Sequence, residues 1–291
     1  MRRGFLKKTV LAAMALTLGL STLSAKETDW PKEIKFGILP VAGSEKLKEI
    51  YGSLTEYLEK KLDTKVKLVI TSDYAAAIVG MGHKHLDMVG FGPKSYCEAA
   101  KRANAEAIVA GIDIKSGVPG YYGYILTKKG SGLKTLEDIK GKIWAFTDPH
   151  STSGTLVPSV LFAEKGIDPK KYFSKVIYSG KHEASILSVK NGKVDAASTN
   201  NLSFGRGLGK QWEKEDFNII WKSDLIAGNP IAVRKDLPES LKKALKEAFV
   251  AFKDKETLDK IKYAGYAPVT DKEYDGIRAL IKLKNSIAKK Q

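Results

Sequence analysis

Ala145-Phe146-Thr147-Asp148-Pro149-His150-Ser151-Thr152-Ser153-Gly154 reads as the end of an apolar strand, a turn shaped by Pro149 and Gly154, and a helix start near Ser153. A helix start carries several backbone N–H groups without partners and a partial positive charge, and together these bind anions. The hydroxyls of Ser151, Thr152 and Ser153 add donors that can rotate to meet several oxygens. A single serine here would be read as a helix N-cap. Three hydroxyl residues in a row after Asp-Pro point instead to a site for a tetrahedral oxyanion. In an α/β sheet, the end of a strand facing a cleft is also where ligands lie.

Outward from this stretch, short apolar strands alternate with amphipathic helices, the pattern of α/β units built on parallel strands. Residues 34–39 read as a strand, and 45–62 as a helix with Leu47, Ile50, Leu54 and Leu58 on one face. Strands at 66–70, 87–91 and 108–114 alternate with helices at 74–81 and 95–103. After a strand at 121–127, a second series follows, with strands at 142–146, 176–178 and 196–198 and helices at 155–165 and 183–190. Residues 231–233 rejoin the first series, and helices at 241–252 and 274–284 lie outside. The chain of roughly 265 residues after its first 25 suits two lobes. Lobe I is assigned to 26–118 plus 228–291 and lobe II to 119–227, joined by strands at two hinge crossings with a central cleft between them.

The first 25 residues have the parts of an export signal: a cationic start (Arg2, Arg3, Lys7, Lys8), an apolar run over 9–20, and small residues ending at Ala25. Arg2-Arg3-Gly4-Phe5-Leu6-Lys7 also resembles a twin-arginine signal, although Met1 stands where Ser or Thr is usual. The expected location is the periplasm. Of the net charge of +16, four charges belong to this segment, leaving +12. A basic balance favours anionic partners over cationic ones. The lysines are spread over helix faces such as Lys242, Lys243 and Lys246, without the basic stripe and interleaved aromatics of a nucleic-acid binder, so no nucleic acid is expected. Cys97, the single cysteine, reads as a small buried hydrophobe. No Cys/His cluster has metal-ligand spacing, so neither a metal nor another cofactor is expected.

Five stretches in order carry a family resemblance: Ser72-Asp73-Tyr74-Ala75-Ala76, Phe91-Gly92-Pro93-Lys94-Ser95-Tyr96, Asp148 to Gly154, Gly180-Lys181-His182-Glu183-Ala184-Ser185, and Asn191 to Ala197. From about Ile34 to Phe252 the chain resembles the phosphate/phosphite/phosphonate-binding proteins of ABC transporters. That resemblance implies an α/β, two-lobed type II periplasmic binding protein fold, no enzymatic activity, and a permease partner in the inner membrane. It also implies that Ser151, Thr152 and Ser153 hold phosphonate oxygens, that Tyr74 reaches the cleft from lobe I, and that His182 lies beside the anion. A further contact is expected from the Tyr121-Tyr122 pair, with Tyr122 favoured. Relatives that take aminoalkyl phosphonates have acids near Asn200 and Asn229. Asparagines at those places disfavour 2-aminoethylphosphonate, since a buried ammonium without a carboxylate is costly. Phosphite or methylphosphonate fits better, with phosphate and hypophosphite also in range. The protein is expected to be a monomer.

Two other readings compete. A serine hydrolase built on Ser151 or Ser153 with His182 lacks the Gly-x-Ser-x-Gly elbow, as the local sequence is Ser151-Thr152-Ser153-Gly154-Thr155. Alternatively, the same fold binds another oxyanion or serves as a sensor.

Overall fold

The computed structural model describes residues 29–288, so the export segment at 1–25 lies outside the described residues. Lobe I opens with β1 (Glu33–Ile38), α1 (Ser44–Leu62), β2 (Lys65–Ile70), α2 (Tyr74–Gly82), β3 (Met88–Gly90), α3 (Pro93–Arg102) and β4 (Ala105–Asp113). The chain then crosses into β5 (Gly120–Lys128), β6 (Ile143–Phe146), a π-helical turn (Thr152–Leu156), α4 (Val157–Glu164), α5 (Pro169–Tyr172), β7 (Lys175–Tyr178), α6 (His182–Lys190), β8 (Ala196–Asn200), α7 (Asn201–Gly207) and β9 (Phe217–Ala227). It returns through β10 (Pro230–Arg234), α8 (Glu239–Ala251), α9 (Lys255–Ile261), β11 (Tyr263–Pro268) and α10 (Asp275–Ala288).

The strands form a six-stranded sheet, β11-β4-β10-β3-β1-β2, and a five-stranded sheet, β7-β6-β8-β5-β9. This is the two-lobed type II binding-protein architecture. The βαβ units keep β1, β2 and β3 parallel, because an intervening helix returns the chain to the same sheet end. Both sheets are mixed, however, where the alternation of elements suggested parallel strands. The chain comes back from lobe II in the opposite sense, so β10 inserts antiparallel between β3 and β4, and β5 is antiparallel to both β8 and β9.

Strand alternation builds the cores. In the second sheet Ile125, Trp144 and Ala196 face one cluster with Phe146, Phe162 and Phe173. Their neighbours Leu126, Ala145 and Ala197 face the other, with Ile186, Val189 and Trp212. In α1 the periodic Leu47, Ile50, Leu54 and Leu58 are all buried against the first sheet.

The two crossings run side by side, with Gly120 of β5 paired to Ala227 of β9. Gly228 N–H donates to the Pro119 carbonyl at 3.0 Å. A Cβ on Gly228 would lie 3.0 Å from the Pro119 carbonyl carbon and 3.1 Å from both Ala110 Cβ and the Gly111 oxygen. Only glycine lets the two connections pack this closely. Helix α10 packs on α3 of lobe I and on α4 of lobe II, and so touches both lobes.

Candidate functional site

The turn after β6 is stapled by its own polar groups. Thr147 N–H donates to the Gly154 carbonyl at 3.0 Å, Thr155 Oγ1 donates to the Asp148 carbonyl at 2.7 Å, and Ser198 Oγ on β8 donates to the Gly154 carbonyl at 2.6 Å. Ser151 caps the π-helical turn, accepting the Gly154 N–H at 3.1 Å. A Cβ on Gly154 would sit 2.3 Å from Thr147 Oγ1, so glycine is required for this close approach. Single π-turns occur often at functional sites. Here the turn places three successive hydroxyl residues in a buried cleft wall, all at most 2 % exposed.

Each hydroxyl meets a group from a different element. Ser151 Oγ lies 3.4 Å from His182 Nε2 and within hydrogen-bonding reach of the Tyr74 phenol. Thr152 Oγ1 accepts the backbone N–H of Lys94 from lobe I at 2.8 Å. Ser153 Oγ accepts from Asn200 Nδ2 at 3.2 Å, and the Tyr121 phenol reaches both Thr152 and Ser153. Burial raises the pKa of Tyr74 and of Tyr121 well above the usual phenol value, so both remain O–H donors. Burial, with the Arg206 charge adding to it, pushes His182 down to about 3; the imidazole is neutral.

These side chains border a cavity of about 60 Å³ lined by both lobes. Tyr74, Ser151, Thr152, Ser153, His182, Asn200 and Asn229 all line it. Tyr122 does not. Successive strand residues face opposite sides, so Tyr121 points into the cleft at 2 % exposure while the Tyr122 ring turns away and carries Lys222 Nζ 3.7 Å from its centroid. The expectation for Tyr122 therefore transfers to Tyr121. Asn201 is likewise held outside the cavity lining: its Oδ1 accepts the Tyr122 N–H at 2.8 Å and its Nδ2 donates to Asp113 at 2.7 Å.

Sequence reasoning missed Tyr51, Arg206, Tyr263 and Tyr266, which also line the cavity. Tyr263 and Tyr266 lie on β11 and Arg206 on α7, two elements absent from the sequence reading.

A hydrolytic triad is not assembled. His182 Nδ1 faces the hydroxyls of Thr199 at 3.2 Å and Thr147 at 3.4 Å, where a triad holds a carboxylate.

The model of the periplasmic substrate-binding protein of phosphonate ABC transporters matches residues 36–274. The chain belongs to this family. It is the solute-binding component of an ABC importer, a periplasmic protein with a permease partner, and not an enzyme. As a phosphonate-binding family member it is 32 % identical to the phosphonates-binding periplasmic protein of Escherichia coli (strain K12), over 93 % of this chain and 83 % of the relative. It is 29 % identical to the phosphate-import protein PhnD of Mycolicibacterium smegmatis, over 86 % and 85 % of the two chains. Among solved structures, the binding component of a phosphonate ABC transporter from Pseudomonas aeruginosa superposes with a TM-score of 0.83 at 31 % identity, covering 89 % of this chain and 88 % of that one.

Proposed function

We propose that the cleft captures a small phosphorus oxyanion without an amine, phosphite or methylphosphonate foremost, with phosphate and hypophosphite within its range. The observation that carries this reading is the cavity wall: among the described residues it includes Asn200 and Asn229 and no Asp or Glu. An ammonium group entering that wall would lose its water with no carboxylate to replace it, at a cost of several kcal/mol. The names of the relatives, one for phosphonates and one for phosphate, support a phosphorus oxyanion and leave its substituent to the local chemistry.

In this reading Ser151, Thr152, Ser153 and the first amides of the π-turn hold the P–O oxygens. Tyr121 completes the lobe II side, Asn200 and His182 stand behind the hydroxyls and set their donor pattern, and Tyr74 closes from lobe I. Asn229 lies at the hinge. Closure is favoured by the bond from Lys94 N–H to Thr152 and by Glu183 of lobe II, which accepts from Gly43 N–H at 2.8 Å and Lys46 Nζ at 2.9 Å. The closed monomer is the form that a permease would read. Its export signal carries a paired Arg2-Arg3 that fits either the twin-arginine route or ordinary secretion.

Native mass spectrometry of the mature protein against equimolar phosphite, methylphosphonate, phosphate, sulfate and 2-aminoethylphosphonate tests this. Phosphite or methylphosphonate is expected to dominate the bound species. Predominance of 2-aminoethylphosphonate or sulfate would refute the reading.

A further inference from the structure

Beside the hydroxyl run, the cavity carries a second polar group made of Arg206, Asn229, Tyr263 and Tyr266. Tyr266 is 3 % exposed, and its Oη has no hydrogen-bond partner among the described residues. A buried hydroxyl left unpaired costs about 1 to 3 kcal/mol, so this group is poised for a partner that enters the cavity. Asn229 Nδ2 donates to the Tyr263 hydroxyl at 3.2 Å, which leaves the phenol's own hydrogen to be directed elsewhere. Arg206 gives one N–H to the Ile261 carbonyl at 3.3 Å and forms no ion pair among the described residues. Glu49 and Glu256, which border the same side of α7, pair with Lys260 instead. Arg206 lines the cavity together with Tyr51, Tyr74, His182, Tyr263 and Tyr266, and its charge is felt at all five. A guanidinium, an unpaired phenol and a second phenol all donate, and among the described residues no carboxylate lines the same cavity to accept from them.

We propose that this group is a substituent subsite for an oxygen acceptor, and that the ligands of this protein include small phosphonates bearing a carboxylate one or two carbons from phosphorus. The inference rests on the reading that the hydroxyl run holds the phosphorus oxyanion. Guanidinium and carboxylate match as a planar, charge-assisted pair, and Tyr266 supplies a donor to the remaining lone pairs. The cavity, at about 60 Å³, keeps the substituent short.

Calorimetric titration of the full mature chain with phosphonoacetate, propylphosphonate and methylphosphonate tests this. Phosphonoacetate and propylphosphonate have similar length and differ in the acceptor. The wild-type protein is expected to bind phosphonoacetate about tenfold or more tightly than propylphosphonate, the range of hydrogen bonds to a charged group. In Arg206→Met and, separately, Tyr266→Phe, that ratio is expected to fall toward one. Should Arg206→Met fail to fold, Tyr266→Phe and the wild-type ratio still decide the matter. Methylphosphonate binding with no preference for phosphonoacetate in the wild type, or a preference that survives both substitutions, would overturn the subsite alone. Loss of binding for all three phosphonates would overturn the oxyanion reading with it.

Discussion

Asn200 Nδ2 lies 3.2 Å from His182 Nε2, and Asn200 Oδ1 accepts the backbone N–H of Ser203 at 2.7 Å. The second bond fixes which way the amide points, because a backbone N–H cannot face an NH₂ group. The amide nitrogen therefore donates to His182 and to Ser153 Oγ at 3.2 Å. His182 Nε2 is then the bare nitrogen, and the ring proton sits on Nδ1, donating to Thr199 Oγ1 at 3.2 Å. Ser153, having accepted from Asn200, keeps its own hydrogen for a partner in the cleft. One side chain thus sets the donor pattern of two others.

Asn200→Asp tests that control. Aspartate retains the helix cap on Ser203, since Asn and Asp cap equally well, but it cannot donate and it adds a negative charge beside the anion. Methylphosphonate affinity should fall by about tenfold or more, which is about 1.4 kcal/mol, while 2-aminoethylphosphonate gains relative to it. Calorimetry on both ligands reads the ratio; an unchanged ratio would contradict the role of Asn200.

Tyr121 and Tyr122 offer an internal control. Tyr121→Phe removes a hydroxyl that reaches Thr152 and Ser153 and should weaken oxyanion binding by about 1 to 3 kcal/mol. Tyr122→Phe, outside the cavity against Lys222, should leave the dissociation constant in place. Equal effects from the two would dispute the strand register.

Burial holds His182 near 3, far below its ordinary value. In the unfolded chain the ring takes a proton near pH 6.5. Between about pH 6.5 and 3 the unfolded state binds a proton that the folded state refuses, so stability falls as pH falls through this window and is fully present above it. Urea unfolding should show the wild type losing about 2 kcal/mol between pH 6.5 and 5, above the range where most carboxylates titrate. His182→Gln should flatten that slope; the same slope in both proteins would assign it elsewhere.

The latch at Glu183 links α6 of lobe II to Gly43 and Lys46 of lobe I. Glu183→Ala leaves every cavity side chain in place, so it should act through closure. A several-fold loss of affinity with a larger ligand-free radius in small-angle scattering is expected. An unchanged affinity and radius would remove Glu183 from the closing equilibrium.

The α/β alternation and the hydroxyl run were legible because both depend on local patterns. Leu47, Ile50, Leu54 and Leu58 recur with helical period, and Ser151 to Ser153 follow a strand end directly. β11 was hidden: Tyr263-Ala264-Gly265-Tyr266-Ala267-Pro268 mixes small residues with an edge-compatible proline, its pairing with β4 is irregular between Tyr263 and Gly265, and Gly265 adopts φ +149°. α7 was hidden by Gly205 and Gly207, which lower helix propensity, and Arg206 lies between them. Tyr121 and Tyr122 are adjacent aromatics on opposite strand faces, and only tertiary packing chooses between them.

The specificity proposed for the cleft is for phosphorus oxyanions without an ammonium group. Side-by-side titration calorimetry of the wild-type mature protein with methylphosphonate and 2-aminoethylphosphonate measures this directly. Saturable one-to-one binding of methylphosphonate, with 2-aminoethylphosphonate weaker by about two orders of magnitude as expected for an unpaired buried charge, is the predicted result. Tight binding of 2-aminoethylphosphonate with no heat from methylphosphonate would contradict it.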